Sequence, residues 1–248
     1  MAALGVDHIG SVVLSESNWR MPPLKETVQT VRSTGAKSSL IPLFNRLETI
    51  LHTLDYYRPD IVHFCQTLTS SSGILDAAGR YVKLQQQVKE RFPNVAVMRT
   101  IPIATTGCSA QVPTLELAAL FEPVSDVFLT DTLVVAPAAS DTSVEEQQPV
   151  AGFVGITGSC CDWQMARRLV QASRIPVILA GGIGPNNVAQ AIEAVRPAGV
   201  DSCTGTNAVG ADGRPIRFQK DPDKVRAMVQ TVRGMQPPHR EKGRSNPC

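Results

Sequence analysis

The sequence lacks the marks of a secreted, membrane-bound or metal-organised protein. No apolar run approaches the roughly 18 residues of a membrane span, and no basic segment followed by a hydrophobic stretch opens the chain. A membrane is therefore not an expected partner, and the expected address is cytoplasmic. The cysteines, at 65, 108, 160, 161, 203 and 248, form no Cys-x-x-Cys pair and have no histidines at zinc-ligand spacing, so no metal site is expected. In a reducing compartment they are expected as free thiols, with Cys160 and Cys161 as adjacent loop residues. An excess of one charge is also missing. Lys and Arg total 24 against 22 Asp and Glu, a net +2 without basic runs, which leaves no electrostatic footprint for nucleic acid. Small, neutral-to-anionic ligands fit this balance better than polyanions.

What is present is a chain of 248 residues, 43% hydrophobic and 19% charged, enough to bury one large core. Short apolar, β-branched runs alternate with longer stretches of helical period, the pattern of βα units around a parallel sheet. The strand candidates are His8–Leu14, Ser38–Leu43, Asp60–Cys65, Ala96–Ile101, Asp126–Asp131, Pro176–Ala180 and Gly199–Cys203. Between them, spacings such as Leu24, Val28, Val31 and Val188, Ile192, Val195 put one apolar stripe against the sheet. Asp221 before Pro222 reads as an N-cap and first-turn pair, and Pro185 falls where a missing N–H is harmless. The expected class is α/β, a TIM-type (β/α)8 barrel of parallel strands over residues 1–235. The stretch from Ala136 to Pro149 and a polar tail over 236–248 are expected to be exposed and disordered.

Seven strand candidates fall one short of the eight that close such a barrel. The first βα unit is expected to be missing or replaced, since the chain reaches its first strand almost at once. Other sources of an eighth strand are Thr132–Val135, Gly152–Gly155, a partner chain or an abbreviated gene model.

Two glycine turns carry the clearest chemistry. In Pro176-Val-Ile-Leu-Ala-Gly-Gly-Ile-Gly-Pro-Asn-Asn-Val188 a buried strand runs into three glycines and then a helix. A second turn follows the next strand, in Val200-Asp-Ser-Cys-Thr-Gly-Thr-Asn207. Glycine lets the main chain approach a ligand closely, and the helix N-terminus adds partial positive charge. Loops after the last two strands of a barrel commonly share one phosphate, so a small phosphorylated substrate is the expected partner. His63 and Cys65, two apart near a strand end, share a face and form a candidate imidazole–thiol pair, though both also read as ordinary buried residues. Arg99 is a charge inside a strand, expected to meet either the ligand or a carboxylate.

The run from Leu179 to Asp201 resembles the seventh-strand region of phosphoribosylanthranilate isomerase, an enzyme family of tryptophan biosynthesis. Gly155-Ile-Thr-Gly-Ser-Cys-Cys-Asp-Trp163 is similar to that family's Gly-Gly-Thr-Gly-x-x-Phe-Asp-Trp loop, with Ile156 in place of a glycine. Lys220-Asp-Pro-Asp-Lys-Val-Arg226 resembles the start of its last helix. The resemblance implies an Amadori-type isomerisation of a phosphoribosyl amine by acid and base catalysis, without a cofactor. It makes Asp131 the general acid that protonates the ribose ring oxygen. It puts Gly158, Gly181, Gly182, Gly205 and Thr206 on phosphate-binding positions and Asp201 near the ribose. It offers Arg20 as the holder of the substrate carboxylate, and His63 as a residue lining the pocket.

One departure weighs against activity. The family's general base is a cysteine in an Ile-Cys-Gly motif on the first strand, whereas Leu4-Gly-Val-Asp-His-Ile-Gly10 resembles the second. Loss of a base lowers turnover by roughly 10² to 10⁴. Cys65 is the candidate substitute. The alternative is a catalytically impaired phosphosugar-binding barrel with a binding or regulatory role. The sequence leaves a homodimer open.

Overall fold

The computed structural model describes residues 1–70, 73–135 and 150–235. The expected disorder over 136–149 and 236–248 lies outside the described residues. In chain order the elements are β1 (His8–Val13), α1 (Pro22–Ser33), β2 (Lys37–Pro42), α2 (Leu47–Tyr57) and β3 (Ile61–Phe64). A small hairpin follows, β4 (Thr69–Ser70) and β5 (Gly73–Ile74), then α3 (Ala78–Arg91), β6 (Ala96–Ala104), α4 (Thr114–Phe121) and β7 (Val127–Leu133). The last part contains α5 (Trp163–Ala172), β8 (Val177–Leu179), α6 (Val188–Val195) and β9 (Gly199–Val200). A second hairpin, β10 (Asn207–Val209) and β11 (Pro215–Lys220), precedes α7 (Pro222–Met235).

Seven strands form one sheet in the order β1-β2-β3-β6-β7-β8-β9, and every pairing in it is parallel. They are the seven that the apolar runs predict. Each strand lies beside its predecessor because a helix returns the chain along the outer face, as right-handed βαβ crossovers require. Among the described residues no pairing joins β9 to β1. The segment Thr132–Val135 is no separate strand, since β7 simply continues through Leu133. Gly152–Gly155 contributes only a single bridge, from Phe153 to Gln66.

Side chains alternate between two faces. Ile61, Met98, Leu129 and Ala180 pack together on the inner face. Their neighbours Val62, Phe64 and Val97, and further along Ile101, Ile103, Phe128, Val177 and Leu179, pack against the helices. At about 25 cal/mol per Å², this outer contact is the main stabilising term of such a fold.

Helix starts follow local chemistry. Asp162 accepts hydrogen bonds from the N–H groups of Gln164 (2.8 Å) and Met165 (3.3 Å) and so caps α5. Asp221 does the same for α7 through Asp223 (2.9 Å) and Lys224 (3.2 Å), as expected. Pro185 lies in the turn ahead of α6, which begins at Val188. The β10–β11 hairpin has no counterpart in the sequence reading. Its second strand is exposed along almost its whole length and so carries no apolar alternation to announce it. None of the described helices is long and apolar enough to cross a membrane.

Candidate active site

Asp131 lies on β7 two residues beyond Leu129, so its carboxyl points to the inner face at the C-terminal end of the strand. One carboxylate oxygen accepts the N–H of Thr132 at 2.8 Å. The other packs against Gly155, whose backbone is left-handed (φ 115°) and where a Cβ would stand 2.2 Å from the Asp131 oxygen. Burial raises the Asp131 pKa to about 7; the Thr132 N–H opposes the shift and the nearby Asp201 carboxylate adds to it. A carboxyl that holds its proton near neutrality is suited to act as a general acid.

Asp201 follows β9, and its N–H donates to the carbonyl of Leu179 at 2.9 Å. Its pKa is also raised by burial, against the pull of Lys220 and His8 toward the ionised form. Asp201 itself is exposed while Asp131 is partly buried, and the Asp201 charge reaches Asp131 only as the smallest of the influences on its proton.

Three loops meet beside them. The turn at Gly181–Gly184 packs so closely on the loop over 157–161 that a Cβ at Gly182 would stand 2.6 Å from the backbone nitrogen of Cys160. At Gly205 a Cβ would lie 2.4 Å from the carbonyl oxygen of Ile183, so the second glycine turn touches the first. Gly158 faces Thr204 across the same junction. Asn187 stiffens the turn: its amide nitrogen donates to the carbonyl of Gly182 and its oxygen accepts the N–H of Gly184, both at 2.9 Å. Among the described residues the N–H groups of Gly182, Ile183 and Gly205 find no acceptor. Unpaired main-chain donors beside the N-terminus of α6 form an anion-binding cradle. The hydroxyl of Thr206 is committed within its own turn, to the carbonyls of Ser202 (3.2 Å) and Cys203 (3.3 Å). Asn187 was not singled out in the sequence; its signal was an Asn placed before an apolar helical run.

Four expected residues have other surroundings than the sequence suggests. His63 and Cys65 both face inward, but the His63 ring meets the Thr100 hydroxyl at 2.7 Å, not the thiol. Burial, helped by the Arg99 charge, lowers its pKa to about 3. Burial pushes the Cys65 thiol up to about 12, opposed by Arg99 and reinforced by Asp131. The expected thiolate–imidazole pair does not form, because an apolar interior disfavours both charges.

Among the described residues Arg99 meets no carboxylate, and it does not point to the inner face. It is in register with Phe64 and Phe128, both helix-facing, and so points into the outer layer. There its guanidinium donates to the side-chain oxygen (2.5 Å) and main-chain carbonyl (2.6 Å) of Gln66 and lies 4.7 Å from the centre of the Phe121 ring. Arg20 is exposed and stacks over Trp19 (5.6 Å) and Tyr56 of α2 (5.0 Å), in the helix layer. Ile156, at the position of the family's glycine, adopts φ 61°, a conformation strained for a β-branched residue.

A parallel sheet backed by helices, with carboxyls and glycine turns at the C-terminal ends of its strands, defines the barrel class of α/β proteins that hold small anionic ligands at that rim. Residues 86–231 match the family described as N-(5'-phosphoribosyl)anthranilate isomerase, more than half of the chain, and the chain belongs to that family. A relative from Methanocella arvoryzae bearing that name is 35% identical over 148 residues, covering 60% of this chain and 55% of the relative. The chain thus matches about half the length of this curated relative. Among solved structures, monomers generated from the dimeric isomerase of Thermotoga maritima superimpose with a TM-score of 0.61 at 17% identity, covering 94% of this chain and 90% of that one. An isomerase in complex with reduced 1-(o-carboxyphenylamino)-1-deoxyribulose 5-phosphate gives a TM-score of 0.57 at 18% identity, covering 94% and 90%. At these identities the likeness speaks for the fold.

Proposed function

We propose that the chain is a phosphoribosylanthranilate isomerase, converting an aminoaldose phosphate into its aminoketose by proton transfer. Asp131 is the observation that carries the reading: a carboxyl with a pKa of about 7 at a strand end, beside unpaired glycine amides, in a chain of this family. The amides of Gly182, Ile183 and Gly205, with Gly158 and Gly181 shaping the turns, hold the phosphate. Asp131 gives its proton to the ribose ring oxygen, and the ring opens to an imine. The Asp131 carboxylate left by that transfer takes the C2 proton, giving the enolamine, which accepts a proton at C1 to become the ketone. Asp201 lies near the ribose, and Cys65 and His63 line the pocket as neutral groups. All the steps are proton transfers, so the chemistry calls for no cofactor. The reaction belongs to cytoplasmic tryptophan biosynthesis, and the dimeric state of the Thermotoga relative makes a homodimer the assembly to test.

The test is a turnover assay on freshly made phosphoribosylanthranilate with the wild-type chain and Asp131→Asn. Product formation that Asp131→Asn abolishes supports the reading. Phosphate binding without any turnover in the wild type would favour the impaired barrel instead.

A further inference from the structure

The hairpin that the sequence did not announce ends at Lys220, and this lysine is the residue the proposed chemistry does not use. β10 and β11 pair antiparallel, with Asn207 opposite Lys220. The return of the chain brings the ammonium group back onto the turn that the hairpin has just left. Its Nζ donates to the carbonyls of Ser202 (3.2 Å) and Cys203 (2.6 Å) and to the hydroxyl of Thr206 (3.1 Å). A lysine ammonium has three protons, and all three are placed. The next residue extends the grip, since the N–H of Asp221 donates to the carbonyl of Thr206 at 2.9 Å.

We propose that Lys220 is a positioning residue for the anion: it pins the Ser202–Thr206 turn from behind so that the Gly205 N–H faces the cradle at Gly182 and Ile183. The inference rests on the phosphate reading above. The physical reason is twofold. Carbonyls that point back at the ammonium leave the N–H groups of the same turn pointing the other way, as in anion-binding nests. Charge-assisted bonds to three oxygens also hold a glycine-containing turn, which has high intrinsic freedom, in one arrangement. Direct contact with the ligand is not required, because the lysine acts through Gly205.

A phosphate group sits away from the reacting carbons and is bound alike in the ground and transition states. Loosening its cradle therefore raises KM and leaves kcat nearly unchanged, a split that a merely structural lysine would not produce.

The experiment titrates inorganic phosphate into the ¹⁵N-labelled full chain and follows the amide signals of Gly182 and Gly205, for wild type, Lys220→Met and Lys220→Arg. Wild type is expected to shift both signals saturably. Lys220→Met is expected to weaken phosphate by roughly tenfold or more, with KM rising in proportion and kcat held within about threefold. Lys220→Arg, which keeps the charge but not the three-point grip, falls between the two. Equal phosphate affinity in wild type and Lys220→Met overturns the proposal while leaving the phosphate reading intact. If the wild type shows no shift at Gly205, the phosphate reading fails first and this inference fails with it. Should Lys220→Met not fold, Lys220→Arg decides, and wild-type affinity in that variant overturns the proposal.

Discussion

Asp131 and Arg99 are both ionisable residues on neighbouring strands, β7 and β6, the first partly and the second fully buried, and they have opposite surroundings. Asp131 shares the inner face with Leu129, keeps one backbone donor and has a second carboxyl nearby, so its proton is held near neutrality. Arg99 shares the helix face with Phe64 and Phe128 and is tied to Gln66 and Phe121, with no carboxylate in contact among the described residues. Burial lowers its pKa to about 9, against smaller opposing effects of Cys65 and Tyr81, so it still carries its charge at neutral pH. Burial of a charge is thus no sign of function by itself. The face of the strand decides whether the group meets substrate or scaffold.

The largest effect expected from this contrast is on turnover. Asp131→Asn lowers kcat by roughly 10² to 10⁴, because the amide cannot donate the same proton. Phosphate affinity measured by calorimetry stays at the wild-type level. The same carboxyl sets a pH dependence with a definite sign. Its folded pKa of about 7 lies above the ordinary 3.8, so the folded state holds the proton between those values. That contribution to stability is complete below about pH 4 and is lost as pH rises through 7. Turnover should fall over the same upper range. In Asp131→Asn the stability slope between pH 4 and 7 flattens, by an amount on the order of 1 kcal/mol after screening by solvent. Urea melts at both ends of the range would expose an unchanged slope.

Next in size is Arg99→Met, expected to cost about 2–4 kcal/mol of stability by stranding the Gln66 oxygens. The folded fraction should turn over substrate within about threefold of wild type. A collapse in kcat/KM without loss of stability would overturn the division between faces.

Gly155→Ala tests the inner face alone. A methyl 2.2 Å from the Asp131 oxygen must displace the acid, and roughly tenfold or more of kcat should go with it. Crystallographic placement of Asp131 in that variant, unmoved, would contradict the argument.

The smallest effect is expected at Ile156. Ile156→Gly relieves a left-handed β-branched residue but adds freedom to the unfolded chain, for a net gain of about 0.5–1 kcal/mol by thermal melting. A loss of stability would mean that the isoleucine side chain contributes packing that outweighs its strain.

The seven sheet strands and their parallel order were legible because buried parallel strands are continuous apolar runs, and their period carries the face of each residue. The glycine turns were legible for a related reason. Close backbone approach tolerates no Cβ, so Gly182 and Gly205 mark it directly in the chain. The β10–β11 hairpin was not legible, since Pro215–Lys220 are almost wholly exposed and pair only with their own neighbours. Arg99 was misplaced because a guanidinium looks the same in sequence whether it meets a carboxylate or a glutamine. The pairing of His63 with Cys65 followed from strand period alone, and burial on that face keeps both groups neutral.

By itself the sequence determined the class of fold, the order of the strands and the two glycine turns, because hydrophobic period and glycine are local properties of the chain. Only the tertiary structure decided which groups meet: Asp131 with Gly155 and the Thr132 N–H on the inner face, Arg99 with Gln66 on the outer one, Lys220 with the oxygens of a turn 14–18 residues earlier. Electrostatic and hydrogen-bond partners are set by distances across the fold, and those distances exist only once the strands have taken their register.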